Sequence, residues 1–129
     1  MLNHRRSSEA AQRATERRQR EDDAARLSTE VPRLSSLRLE IEERRAGGVL
    51  TGGAHIRRIV VERAPALFVI PCSDRSCKEG GHDITSKVMV ALREGQARFQ
   101  GEHTCNGQLG NIPCDSVLKY TGIASYSAK

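Results

Sequence analysis

Leu37-Arg38-Leu39-Glu40-Ile41-Glu42 alternates apolar and charged side chains with a period of two, the pattern of a strand that buries one face and wets the other. Leu37, Leu39 and Ile41 then belong to a core, and Arg38, Glu40 and Glu42 to solvent. Downstream, Gly47, Gly48, Gly52 and Gly53 mark a hairpin connection to a β-branched run from Ile56 to Val61. Ala64-Pro65 punctuates the passage to a third apolar run, Leu67-Phe68-Val69-Ile70, which Pro71 and Cys72 end. Short connections favour neighbouring strands, so these three are expected to pair in sequence order as an antiparallel start.

One amphipathic helix follows. Ile84, Val88, Ala91 and Leu92 form a stripe at helical spacing, Asp83 suits the N-terminal cap, and Gly95 suits a left-handed stop. Two further strands are expected, from Ala97 to Cys105 with Phe99 facing inward, and from Val117 to Tyr126 with Leu118, Tyr120, Ala124 and Tyr126 on one face. The order is βββαββ, an α+β fold: a small antiparallel sheet of about five strands with one packed helix and a single core.

Upstream, the chain changes character. From Asn3 to Leu27 it is dense in Arg, Glu, Gln and Ala, good helix formers with Ser7, Ser8 and Glu9 near the start, but the apolar side amounts to Ala10, Ala14, Ala24, Ala25 and Leu27. Pro32 stops any helix. Residues 1–33 therefore read as a charged arm, helical or flexible, and 34–129 as the folded domain. A chain of 129 residues has room for one core. With 37% hydrophobic residues, two Phe, two Tyr and no Trp, that core is thin, and a crosslink or metal adds useful stability. No apolar run approaches the ~18 residues that span a bilayer, and Met1 to Arg20 lacks the apolar stretch of an export signal, so a soluble cytoplasmic protein without membrane contact is expected.

Four cysteines carry the chemistry. Cys72 and Cys77 bracket a polar turn that follows a strand and precedes Gly80-Gly81. Cys105 ends a strand and runs into the turn dipeptide Asn106-Gly107, and Cys114 follows Pro113 at the entry to the last strand. All four fall at strand ends, where an antiparallel layout can bring two thiolates from each loop to the ~2.3 Å zinc–sulfur distance of a tetrahedral site. One structural Zn2+ held by Cys72, Cys77, Cys105 and Cys114 is the expectation. The spacings are looser than paired C-x-x-C elements. His82, beside the first loop, and His103, two residues before Cys105, are alternative ligands should a histidine replace one cysteine. The rival without metal has the same sulfurs as disulfides, Cys72 with Cys77 and Cys105 with Cys114 or crossed, or as buried thiols; a reducing compartment disfavours the disulfides. The cysteine loops, and nothing else in the chain, resemble zinc-ribbon-like modules, which implies an ion with a folding role.

Four sulfurs would close the coordination shell and leave no place for a catalytic water. An enzyme would need a mixed His/Cys site with Glu79 or Glu102 as acid or base, and Asp74 and Asp83 already have structural explanations as turn and cap. No GxGxxG, Walker-type, HExxH or GxSxG pattern occurs, and no catalytic residue is assigned. The net charge of +5 is spread over both halves of the chain and permits nucleic-acid contact without requiring it. Arg57, Arg58 and Arg63, with Arg75 and Lys78 in the first cysteine loop, are the candidate contacts, although Arg57 and Arg58 necessarily point to opposite sides of a strand. The expected function is a small zinc-stabilised binding module docking on a nucleic acid or a protein assembly. The alternatives are a redox-responsive zinc-thiolate regulator and, third, a metal-dependent enzyme.

Overall fold

The computed structural model describes residues 2–45, 50–74, 76–77 and 80–128. Along the chain these form α1 (Leu2–Asp23), α2 (Leu27–Glu30), β1 (Leu34–Arg45), β2 (Leu50–Ile59), β3 (Val69–Ile70), β4 (His82–Asp83), α3 (Thr85–Arg93), β5 (Arg98–Thr104), β6 (Gln108–Leu109), β7 (Ile112–Pro113) and β8 (Ser116–Tyr126). The alternation that begins at Leu37 lies in the middle of β1. Leu37, Leu39 and Ile41 are buried, and Arg38, Glu40 and Glu42 are exposed or half-buried on the other face. The main sheet is antiparallel, in the order β2-β1-β8-β5. The architecture is α+β, a four-stranded sheet with α3 as its main packed helix.

The expected third strand does not join this sheet. Of the run from Leu67 to Ile70, only β3 joins a ladder, a separate one with β4, Val69 opposite Asp83 and Ile70 opposite His82. Its expected partner, β2, stays at the edge of the sheet with its other side unpaired among the described residues, and the run is held by other neighbours instead. Arg26 bridges Pro65 and Ala66 N–H donates to Ala25 O, and Pro65 and Pro71 bound the five residues between them, so the segment follows the chain before β1 rather than the edge of β2. Phe68 meanwhile bonds to the start of α3: its N–H donates to Thr85 Oγ1 at 2.8 Å, and its carbonyl accepts from Ile84 at 2.9 Å. The second strand begins earlier than its β-branched run and ends at Ile59, because Val60 opens a turn whose carbonyl accepts from Arg63 and Ala64. Of the four glycines expected in the connection, Gly47 and Gly48 lie outside the described residues, and Gly52 and Gly53 fall within β2 instead.

The helix stripe is confirmed. Ile84, Val88, Ala91 and Leu92 are all buried, with Met89 beside them. Asp83 does not occupy the cap position, which is Ile84; its Oδ1 instead accepts from Thr85 N–H at 3.1 Å. Gly95, at φ +73°, ends the helix with Gly95 N–H donating to Leu92 and Gln96 N–H to Ala91, the paired bonds of a Schellman stop.

Against α3 lie Leu37, Leu39 and Ile41 of β1, Phe99 of β5, and Leu118, Tyr120 and Ala124 of β8. Two cross-strand pairs fill this face with aromatic rings. Phe99 stands opposite Gly122 and Tyr120 opposite Gly101, each ring lying over the glycine, so that a Cβ at Gly101 would come within 2.7 Å of Tyr120 Cζ.

α1 begins before Ser7 and Ser8, and its described side chains are exposed or half-buried. The chain reaches the core at Leu27, which is fully buried, followed by Val31. Leu27 N–H donates to Ala64 O, and Ala66 N–H to Ala25 O, so α2 packs with the sheet and closes one end of the core.

Candidate metal centre

The first cysteine loop is shaped by Asp74. Its Oδ1 accepts from Ser76 N–H at 2.8 Å, its carbonyl accepts from Cys77 N–H at 3.1 Å, and the resulting turn carries Cys77 back toward Cys72. In the second loop the eight-residue spacing is shortened by the small β6-β7 hairpin, which turns at Gly110-Asn111 rather than at Asn106-Gly107. Cys105 continues the β5-β8 ladder by donating to Ser116 O at 2.8 Å, and Cys114 N–H returns to Gly107 O at 2.9 Å. A sequence separation that looked loose thus becomes compact in space.

The four Sγ atoms lie within 4.8 Å of one another. Two approaches join one cysteine of each loop, Cys77 with Cys105 at 3.6 Å and Cys72 with Cys114 at 3.8 Å. These distances far exceed a disulfide bond of ~2.05 Å. Four sulfurs placed tetrahedrally about 2.3 Å from one centre would stand about 3.8 Å apart, close to these two separations, so the four cysteines are placed where they could hold a metal ion. Cys105 and Cys114 are buried, and Cys72 and Cys77 are half-buried.

The electrostatics follow from crowding four thiols in a partly dry place. Burial pushes the Cys72 thiol up to about 11, and burial with the neighbouring thiols raises Cys77 further. Burial also acts against ionisation of Cys105, yet the N–H groups of Gly107 and Gly81 and the Cys77 thiol outweigh it and lower Cys105 below the ordinary thiol value. Gly107 N–H lies 3.4 Å from Cys105 Sγ. Without a cation the cluster resists holding several thiolates at once; a bound metal removes that obstacle.

Two side chains from the end of β1 tie both loops together. Glu43, 4% exposed, accepts on Oε2 from Ser73 N–H at 3.2 Å and Ser73 Oγ at 2.7 Å in the first loop, and from Ser116 Oγ at 2.9 Å beyond the second. Arg45 pairs with Asp74 of the first loop and, at 2.9 Å, with Asp115 of the second. The Ser76 amide and the Arg45 guanidinium hold the Asp74 carboxyl below the usual range. Neither Glu43 nor Arg45 stood among the sequence candidates. The signal for Glu43 was present: the inward series Leu37, Leu39, Ile41 continues at Glu43, and a carboxylate at an inward position needs partners.

His82 and His103 pair with each other, Nδ1 to Nδ1 at 3.0 Å, with rings near perpendicular, and neither belongs to the close group of sulfur ligands. His82 is fully buried; burial lowers its pKa, with Glu43 opposing and His103 assisting. Its Nε2 has no hydrogen bond among the described residues and lies 3.8 Å from Glu43 Oε2. Of the other named acids, Glu102 lies opposite Lys119 on the outer sheet face, Asp83 sits at the start of α3, and Glu79 lies outside the described residues. Arg57 faces the α3 side opposite Leu39, Arg58 the outer side opposite Arg38, and Arg63 lies exposed in the turn after β2. Arg75 and Lys78 lie outside the described residues.

No helix among the described residues is long and apolar enough to cross a membrane. No protein-family model, no curated protein and no solved structure matches this chain.

Proposed function

We propose that the chain is a small binding module stapled by one structural Zn2+ on Cys72, Cys77, Cys105 and Cys114, docking on a nucleic acid or a protein assembly. The observation that carries this reading is the convergence of four sulfurs from two distant segments to within 4.8 Å. All-thiolate tetrahedral sites suit zinc, and four protein ligands leave no open position for substrate or water. The cysteine loops then act as a ribbon-like clasp, and Gly107 N–H supports the thiolate charge that the ion leaves unneutralised.

Elemental analysis of the reduced, purified chain is expected to give one zinc per molecule, and dialysis against a strong chelator to lower the melting temperature. A metal-free chain with the same melting curve, or iron in the site, would contradict the proposal. Mild peroxide distinguishes the redox reading: zinc released by oxidant and regained with thiol would favour a regulator that uses the 3.6 Å and 3.8 Å sulfur pairs as disulfide partners.

Glu43→Ala is expected to lower zinc affinity about 10–100-fold, as loss of a group that orients metal ligands commonly does. Ser73 and Ser116 would lose their common acceptor, and the two loops one of their two bridges. Competition with a chromophoric chelator measures this, and an unchanged affinity would remove Glu43 from the site.

A further inference from the structure

The sheet face turned away from α3 has no buried side chain among the described residues. Strand register lays out its charge in levels. One level reads Arg58, Arg38, Ile123, Arg98 across β2, β1, β8 and β5. Three of four strands thus present an arginine at the same height, and Arg38 and Arg58 stand directly opposite each other. Like charges opposed across a ladder destabilise it, and among the described residues of this face only Arg38 of the row has an acid beside it. Its acids are already engaged: Glu40 with Arg38 at 3.4 Å, Glu42 with Arg44, and Glu102 with Lys119 at 3.7 Å. Arg58 and Arg98 have no acidic partner among the described residues. The surplus lies at the end of the face far from the cysteines, beside the mutually bonded hydroxyls of Ser36 and Ser125.

We propose that this arginine row is a docking strip for the sugar-phosphate backbone of a nucleic acid, bound without regard to base sequence. The proposal rests on reading the chain as a binding module and supplies that module's surface and partner class. From β2 to β5 is three strand spacings, about 14 Å, a width that a single small anion does not cover and a backbone with regularly repeated phosphates does. Guanidinium forks match phosphate oxygens. No aromatic side chain on this face can stack a base: Phe99 and Tyr120 are buried on the α3 side, and Tyr126 Oη donates to Gln96 O at 2.8 Å. Contact therefore falls on backbone rather than bases. An acidic protein segment fits less well, because such interfaces centre on an anchor side chain in a pocket, and the centre of this strip is the half-buried Ile123.

Fluorescence anisotropy of the zinc-loaded chain with a short labelled DNA duplex and its single strand, across a salt series, tests this. Binding is expected, with log affinity falling linearly in log salt. Arg58→Glu combined with Arg98→Glu should weaken it about tenfold or more at low salt and flatten the salt slope by about two. Both positions are exposed, and Arg58→Glu would face Arg38, so folding is not at risk. Arg17→Glu with Arg18→Glu on α1 changes the net charge equally and should leave affinity and slope near wild type. No binding by the wild-type chain, equal losses from the two double variants, or tighter binding to polyglutamate than to DNA would each overturn the strip. Zinc is measured on the same samples. Arginine-dependent DNA binding by a chain that holds no zinc would sink the zinc reading and leave the strip standing; a zinc-loaded chain that ignores DNA would sink the strip alone.

Discussion

Cys105→Ser is expected to yield a chain that retains no tightly held zinc and melts at the same lowered temperature as the chelated wild type. Serine is nearly isosteric with cysteine, so the packing of this buried position against Gly80 and Gly107 changes little. What is lost is a thiolate, and a neutral hydroxyl is a poor replacement for it on zinc. Binding to structural thiolate sites is worth ~10–16 kcal/mol in small zinc-dependent domains, and because the site forms only in the folded chain, much of that is folding free energy. If removing one ligand costs even about 3 kcal/mol of it, melting drops by roughly 12–24 °C in a domain of this size. Calorimetry of three samples decides the matter: wild type with zinc, wild type after chelation, and Cys105→Ser. A variant that melts with the zinc-loaded protein would mean that the sulfurs merely share a neighbourhood.

The parts of this structure legible in the sequence are those fixed by local periodicity. Leu37, Leu39 and Ile41 declared the inward face of β1, and Ile84, Val88, Ala91 and Leu92 the buried stripe of α3, because alternation at two and at 3.6 residues follows from backbone geometry alone. Strand partners are a different matter. Nothing local in Leu67 to Ile70 says that the run will pair with β4 and bond the start of α3 rather than line the open edge of β2, since those partners come from separate segments of the chain. The α+β class could be read, and the position of the third strand could not. Asn106-Gly107 is instructive in the same way. The dipeptide signals a turn, yet the hairpin turns at Gly110, and Gly107 is glycine because the Cys77 sulfur and the Gly80 backbone press against it. The four cysteines were legible as a set through their places at strand ends. The Glu43 and Arg45 bridges were not, because their partners Ser73, Ser116, Asp74 and Asp115 are ordinary turn residues until the fold brings them to the end of β1.

Those bridges and the glycines describe one design from two sides. Glu43 and Arg45 pull the loops together from the sheet, and Gly80 and Gly107 let them meet without side chains in between. Gly107→Ala is therefore expected to disrupt the site as severely as loss of a ligand. A Cβ at Gly107 would lie 2.5 Å from Gly80 Cα and 2.7 Å from Gly80 N, and would also press on Cys77 Sγ. Gly80 is backbone and cannot rotate aside. Relief requires the first loop to move away, taking Cys77 with it, and a displacement of even several tenths of an ångström takes a sulfur out of range of a ~2.3 Å bond. Zinc affinity should fall about 100-fold or more, beyond the usual effect of losing a group that only orients a ligand. Gly110→Ala is the matched control. It lies in the same hairpin at φ +66° with open space around its Cβ, so it should cost about 1 kcal/mol of backbone strain and leave zinc binding alone. Chelator competition on both variants separates the outcomes. If Gly107→Ala and Gly110→Ala hold zinc equally well, the close approach of the two loops is not what assembles the sulfurs, and the clasp fails as an account of how this chain holds an ion.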